Sequence, residues 1–473
     1  MMRWMLRRRG ALAGGALLGC VSIASLAQPP IGAVSPGPLP ETPFKGVLDF
    51  TLRKVVGDES GPTLLVIGGI QGDEPGGFNA ASLLLTHYTV ARGQLWVVPN
   101  LNFPSILQRS RGVHGDMNRK FPLPARDDPD FDRVERIKRI ITAPEVSYVF
   151  NLHDGSGFFR PRFIDRMRSP ARWGQSIIID QRELRTTYRG DLGGLADSVA
   201  ASVNEVLMEP AHRLHVKNTR TREGDMEMAK TLTFFAINNG KPAVGLEASK
   251  SLGTSLRVYY HLRMLEAYMH RLGLQFSRHF ELAPEHISRV LDSNVRVAFY
   301  DRRLLLDMGK ARTALRYVPL ERDRDLEYEA SSPLIAVLPE PNGLRVRYGN
   351  RSVTQLYPQY MEYDRKLGAI SLEVDGVDRL VPFGSIVEVK RSFRVLGQND
   401  YRVNVIGFRA AGRIDESGLL ISQRDIEPQF SIDVDGHMYR IEVYRDKKFA
   451  GMLIVHFDHH ETVSQTEPER PRT

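Results

Sequence analysis

"LLVIGGIQGDEPGG", residues 64–77, runs from four large aliphatic side chains into a glycine-punctuated turn that offers Gln71 and, three positions on, Glu74. A short unbroken apolar run of this kind reads as a strand covered on both faces, which is the habit of parallel sheets flanked by helices. The following residues, 76–88, carry a helical pattern. The stretch therefore predicts a strand–turn–helix unit with two polar side chains at the carboxyl end of a strand, where α/β sheets gather their functional groups.

The same alternation extends outward. Apolar runs recur at "TLLVIGG", "QLWVVPN", "VSYVFNLHD", "SIIID" and "PAVGLEAS", separated by helical candidates at 131–142, 193–208 and 254–272. This predicts an α/β domain over about 45–275, built on a sheet flanked by helices. Asn100, His153 and Glu247 join Gln71 and Glu74 at or just past strand ends. From about 276 the segments become shorter and mixed, which predicts a small second domain over 276–365. Period-two alternation around DG turns, as in "ISLEVDGVDRLVPFGSIVEVKRSFRVL", then predicts an antiparallel β-sandwich of immunoglobulin type over 366–460. Residues 461–473 read as a solvated tail.

At 473 residues and 42% hydrophobic side chains the chain has the length of about three domains. Its basic head "MMRWMLRRR", apolar "GALAGGALLGCVSIA" and small-residue "SLA" predict an export signal over 1–27. Three routes stay open: cleavage after Ala27, lipid attachment at Cys20, and twin-arginine export. Arginines 3, 7, 8 and 9 belong to that segment, so the formal charge of +8 falls to +4 without it, too mild to imply a nucleic-acid partner. No span long enough to cross a membrane is expected in the mature chain. Cys20 is the single cysteine, so a metal site after Ala27 has only His, Asp, Glu and amide donors to draw on.

Four pieces of the α/β segment carry chemistry: "GGIQGDEPGG", "GDMNRKFP" at 115–122, "FNLHDGSGF" at 150–158 and "PAVGLEAS" ending near Glu247. Singly, each has an ordinary reading. Glu74 suits a helix N-terminus, His153 a hydrogen-bonded structural role, Asn118–Arg119 a turn with a surface ion pair, and Glu247 a buried ion-pair partner. Together they supply three donors, a further carboxylate and a cationic group, the set a hydrolytic metal site uses.

The order Gln71-x-x-Glu74, Arg111, Asn118–Arg119, His153 and Glu247 resembles the zinc carboxypeptidase family, in which His usually stands at the position of Gln71. The motifs "QGDE", "HDGSGF", "RWGQSIIID" and "GLEASKS", with two domains after the catalytic one, are more similar to its cell-shape-determining peptidoglycan DL-carboxypeptidases. The resemblance implies one zinc ion held by Gln71, Glu74 and His153, with Glu247 as general base and then acid. It gives Asn118 and Arg119 the terminal carboxylate, and Arg111 the oxyanion or the carboxylate. Arg109, two positions away, competes for that arginine role, and Asp73 is a neighbour of the ligands. An amide oxygen is neutral, as imidazole is, so the swap preserves the site's charge while weakening the metal's hold.

The substrate so implied is the stem peptide of peptidoglycan, a muramyl tripeptide losing its terminal meso-diaminopimelate in the periplasm. The polar loop "KNTRTREGDMEM" at 217–228 is a candidate wall for the side-chain pocket. The two later domains would dock cell wall or shape-complex proteins, or buttress the cleft. Two rival readings stand beside this one: a zinc deacylase of small N-acyl amino acids, and a silent scaffold that binds stem peptide without cutting it.

Overall fold

The computed structural model describes residue 39 and residues 43–457 apart from 123, 294 and 399. The expected export signal over 1–27, with Cys20, and the expected tail at 461–473 lie outside the described residues.

The quoted stretch forms the strand Glu59–Ile67 and, after the turn, the helix Pro75–Thr86. That strand is central in an eight-stranded mixed sheet, ordered Gln275–Arg278, Tyr88–Val98, Glu59–Ile67, Tyr148–Gly155, Ala243–Ser249, Ser176–Ile179, His215–Asn218. Arg53–Val56 pairs with the long Tyr88–Val98 strand as well. The middle four strands run parallel, and Ser176–Ile179 turns antiparallel against Ala243–Ser249. Every residue of Tyr148–Gly155 and of Ala243–Ser249 is buried. Helices on the sheet faces explain this. Pro75–Thr86 packs on Thr254–Leu272 and on the Tyr148 strand, and Leu232–Asn238 packs on both the Tyr148 and Ala243 strands.

The following segment holds two small sheets. One comprises Phe44–Lys45, Tyr328–Ala330, Arg296–Phe299 and Leu304–Asp307 in spatial order; the other Ala314–Glu321, Arg351–Met361, Gly343–Tyr348 and Ile335–Glu340. Their apolar residues share one continuous core with the large sheet. Asn100 joins the two parts: buried at a strand end, it donates from Nδ2 to the Pro333 carbonyl at 3.2 Å and accepts from Thr51 N at 3.1 Å.

Residues 369–457 form two four-stranded sheets around a separate core that includes Leu372, Phe393, Ile441 and Val455. Pairing is antiparallel except where Ile386–Val389 runs parallel to Lys448–Phe457.

Candidate active site

Parallel register sets His153 directly beside Glu247 at the carboxyl ends of adjacent strands. The turn after Ile67 brings Gln71 and Glu74 over the same ends. Glu74 stands at the N-cap of the Pro75–Thr86 helix, but its side chain caps nothing. Its carboxylate turns into the cleft, where Oε2 lies 2.9 Å from His153 Nδ1 and accepts from Asp154 N at 3.1 Å. Gln71 Oε1 approaches the same His153 Nδ1 at 3.1 Å.

Two acceptor oxygens and one ring nitrogen thus meet at a point, and all three side chains are buried. Because both oxygens are acceptors, Nδ1 must be the protonated nitrogen if it is to bond to them. A cation in that position would collect one neutral oxygen, one carboxylate oxygen and one imidazole nitrogen, a donor set suited to zinc. Among the described residues no three His, Cys, Asp or Glu side chains converge as a metal group; this set has only two of those types, and its third member is an amide.

Burial alone would lower the His153 pKa, but the hydrogen bond to Glu74 and the carboxylate's charge outweigh burial, and the imidazole is held above its ordinary value. Glu247 is pushed up to about 8, chiefly by burial; His153 opposes the shift and Glu74 adds to it. Glu247 Oε2 has no hydrogen-bond partner among the described residues. Gly155 makes room for it, since a Cβ there would stand 2.7 Å from Oε2. A buried carboxyl with a raised pKa and one unpaired oxygen beside three converging donors is the kind of group that can carry a proton.

Asn118 and Arg119 sit on the short turn Met117–Arg119, capped by Asp116 through Asn118 N at 3.0 Å. Asn118 is buried, with Oδ1 accepting from Leu232 N and Nδ2 3.4 Å from His153 Nε2. Arg119 is part-exposed and its Nε lies 3.3 Å from Glu227 in the 217–228 loop. Met228 of that loop also lines the cleft, whose volume is about 320 Å3. Lys217 stacks on Trp173, a further cleft residue, at 3.7 Å.

The two candidate arginines point in different directions. Arg111 reaches into the cleft, 3.6 Å from Glu74 Oε1 and paired with Asp116 at 3.0 Å. Arg109 ends the Phe103–Gln108 helix at φ 54° and donates away from the cleft, to the Asn350 carbonyl. Asp73 touches none of the three donors; it binds Lys250 at 2.6 Å, and Lys250 in turn lies 3.4 Å from Glu74 Oε1.

Sequence reasoning passed over Asp116 and Lys250. Asp116 accepts from Gln71 Nε2 at 2.8 Å and so ties a donor to Arg111 and to the Asn118 turn. Its signal was a carboxylate two positions before Asn118, an N-cap spacing.

Residues 47–292 match the family described as the catalytic domain of carboxypeptidases controlling helical cell shape, and residues 363–458 match the C-terminal domain of metallo-carboxypeptidases. Among solved structures, the apo cell shape determinant protein Csd4 from Helicobacter pylori is 37% identical, aligns over 87% of this chain and 100% of its own, and superposes with a TM-score of 0.78. Its tripeptide-bound form gives the same identity and coverage with a TM-score of 0.77. Its mDAP-bound form, described as a D,L-carboxypeptidase, is 37% identical over 86% of this chain and 100% of its own, with a TM-score of 0.78. No curated protein sequence matches the chain.

Proposed function

The chain belongs to the family of metallo-carboxypeptidases that control helical cell shape, and from that membership we propose a zinc-dependent peptidoglycan DL-carboxypeptidase that releases meso-diaminopimelate from muramyl tripeptide in the periplasm. The observation that carries this reading is the meeting of Gln71 Oε1, Glu74 Oε2 and His153 Nδ1 beside the open oxygen of Glu247. Csd4 is known in a tripeptide-bound and an mDAP-bound form. No helix among the described residues is long and apolar enough to cross a membrane, and the expected export signal carries the chain to the envelope.

Gln71, Glu74 and His153 would hold the ion. Bound there, zinc supplies a Lewis acid that polarises the scissile carbonyl and acidifies water. The rest is the work of the chain's own groups. Arg119 presents a planar fork to the substrate's terminal carboxylate and gives up its contact with Glu227 to do so, while Asn118 supplies an amide beside it. Arg111, held by Asp116, faces the region where negative charge develops on the carbonyl oxygen. Glu247 accepts the proton of the attacking water at its open Oε2 and passes it to the departing amine.

The test is a digest of muramyl tripeptide and tetrapeptide by the zinc-loaded mature chain, with products identified by mass. Loss of one diaminopimelate from the tripeptide, with the tetrapeptide intact, is the expected result. An uncut tripeptide with zinc bound would overturn the proposal.

A further inference from the structure

A second cleft lies away from the catalytic one, between the sheet containing Ala314–Glu321 and the terminal sandwich, with a volume of about 790 Å3. Its floor is the outward face of the strand Met438–Arg445, where Arg440, Glu442 and Tyr444 alternate with the core residues Ile441 and Val443. Those three polar side chains are buried although they point away from the sandwich core. A plain sandwich surface would leave such residues in water.

The floor is held in place from across the cleft. Arg440 donates to the carbonyls of Tyr317 and Arg316 at 3.3 and 3.2 Å. Both belong to a register break in the Ala314–Glu321 strand, between Leu315 and Val318. At that break Tyr317 adopts φ 54°, a left-handed conformation that costs a bulky residue on the order of 1–3 kcal/mol. Its ring is thrown out at the cleft mouth and is 70% exposed. Bulges re-aim side chains in this way. Phe430 stands partly exposed in the opposite wall.

The charges are uneven. Arg316, Arg409 and Arg413 stand exposed around the rim; Arg316 lies over the Tyr357 ring at 4.8 Å, and Arg413 donates to the Ser417 carbonyl at 3.4 Å and acts electrostatically on Asp415. At the floor, Glu442 Oε2 accepts from Tyr444 at 2.6 Å. Glu442 Oε1 lies 3.2 Å from Arg440 but has no hydrogen-bond partner among the described residues. The cleft thus offers three exposed guanidiniums to anions and two exposed rings to a flat face.

We infer that this cleft is a second binding site for peptidoglycan, which takes the carboxylates of a stem peptide on Arg316, Arg409 and Arg413. The choice of polymer rests on the reading of the catalytic site; the site itself rests on the cleft. Guanidinium forks match carboxylates, and stem peptides carry free carboxylates. The site would keep the enzyme on the wall between turnovers and leave cleavage of a small soluble substrate untouched.

The experiment uses the full mature chain carrying Glu247→Gln, so that the polymer is not digested, and measures cosedimentation with purified sacculi. Replacing Arg316, Arg409 and Arg413 together with alanine should weaken binding about tenfold or more, the equivalent of one lost charged contact. In the chain with Glu247 intact, the same three substitutions should leave turnover of soluble muramyl tripeptide unchanged. A control replaces three exposed arginines elsewhere, Arg139, Arg185 and Arg289. Unchanged cosedimentation of the rim variant, or an equal loss in the control, would overturn the inference. Rim-dependent binding by a chain that leaves the tripeptide uncut would uphold this site and sink the catalytic proposal, so the two fail separately.

Discussion

Asp116 accepts a hydrogen bond from Gln71 Nε2 at 2.8 Å, and because a carboxylate cannot donate, this contact turns the amide oxygen of Gln71 toward His153 and Glu74. A glutamine ligand has a weakness that histidine lacks: its amide can flip and present nitrogen to the metal. Asp116 removes that freedom.

Asp116→Ala should therefore weaken metal binding by roughly 10–100-fold, the usual effect of losing a group that orients a ligand. A competition titration against a chelator of known affinity reads this directly. Gln71→His should tighten binding, since imidazole is the stronger donor and Asp116 can accept from its second nitrogen. Unaltered affinity in both variants would remove Gln71 from the ligand set.

Metal affinity should also depend on pH in a defined sense. Glu74 holds the His153 imidazole above its ordinary value of 6.5. A metal needs the neutral ring, so it must displace that proton. Affinity should fall about tenfold per pH unit below the raised value, with the decline beginning above pH 6.5. The metal-free chain has the opposite slope. A raised folded pKa contributes stability that is fully present below 6.5 and is lost as pH rises through the raised value. Flat affinity from pH 6 to 8 would refute the exchange of proton for metal.

Glu247→Gln should keep the metal and lose turnover by about 10²–10⁴-fold, the size of a missing general base. Stability should hold or rise. Burial pushes this carboxyl up to about 8, which means the fold resists its charge, and a neutral isostere removes that penalty. Turnover retained in this variant, with its melting temperature unchanged, would exclude Glu247 as the proton carrier.

The catalytic sheet was readable because strands covered on both faces must be apolar nearly throughout, and "LLVI" and "PAVGLEAS" are. The candidate residues Glu247 and His153 stood out in the sequence because they interrupt those runs at their ends, and the structure brings them beside Gln71 and Glu74. Arg109 and Arg111 were not separable, since the choice depends on a helix end at φ 54° and on Asn350, which lies 241 positions along the chain. Asp116 was hidden for a related reason: its partner Gln71 is 45 positions away, and its local cap to Asn118 looks ordinary. The rim of the second cleft draws on Arg316, Arg409 and Arg413, and only the docking of two sheets makes them neighbours.

Asp154 provides the strongest stability test, because it holds three elements behind Glu74 and His153. Its side chain is fully buried; Oδ2 accepts from Gly76 N at 2.8 Å and from Arg257 at 3.1 Å, and Oδ1 faces His261 Nε2 at 3.2 Å. It thereby joins the start of the Pro75–Thr86 helix to the Thr254–Leu272 helix, next to His153 on the central strand. Burial would raise its pKa, but His261 and Arg257 outweigh burial and hold it below 3.8. The stability it contributes is present above pH 3.8 and is lost as pH falls through the lowered value. Asp154→Ala leaves Arg257 and His261 without their anion and should cost about 3–5 kcal/mol, the range for breaking a buried pair. Gly76 cannot compensate by filling the gap in the intact chain, since a Cβ there would lie 2.3 Å from Asp154 Oδ1. Urea unfolding of the metal-free protein measures the loss, and a change below about 1 kcal/mol, the worth of a surface pair, would show that the packing of the two helices positions Glu74 without Asp154.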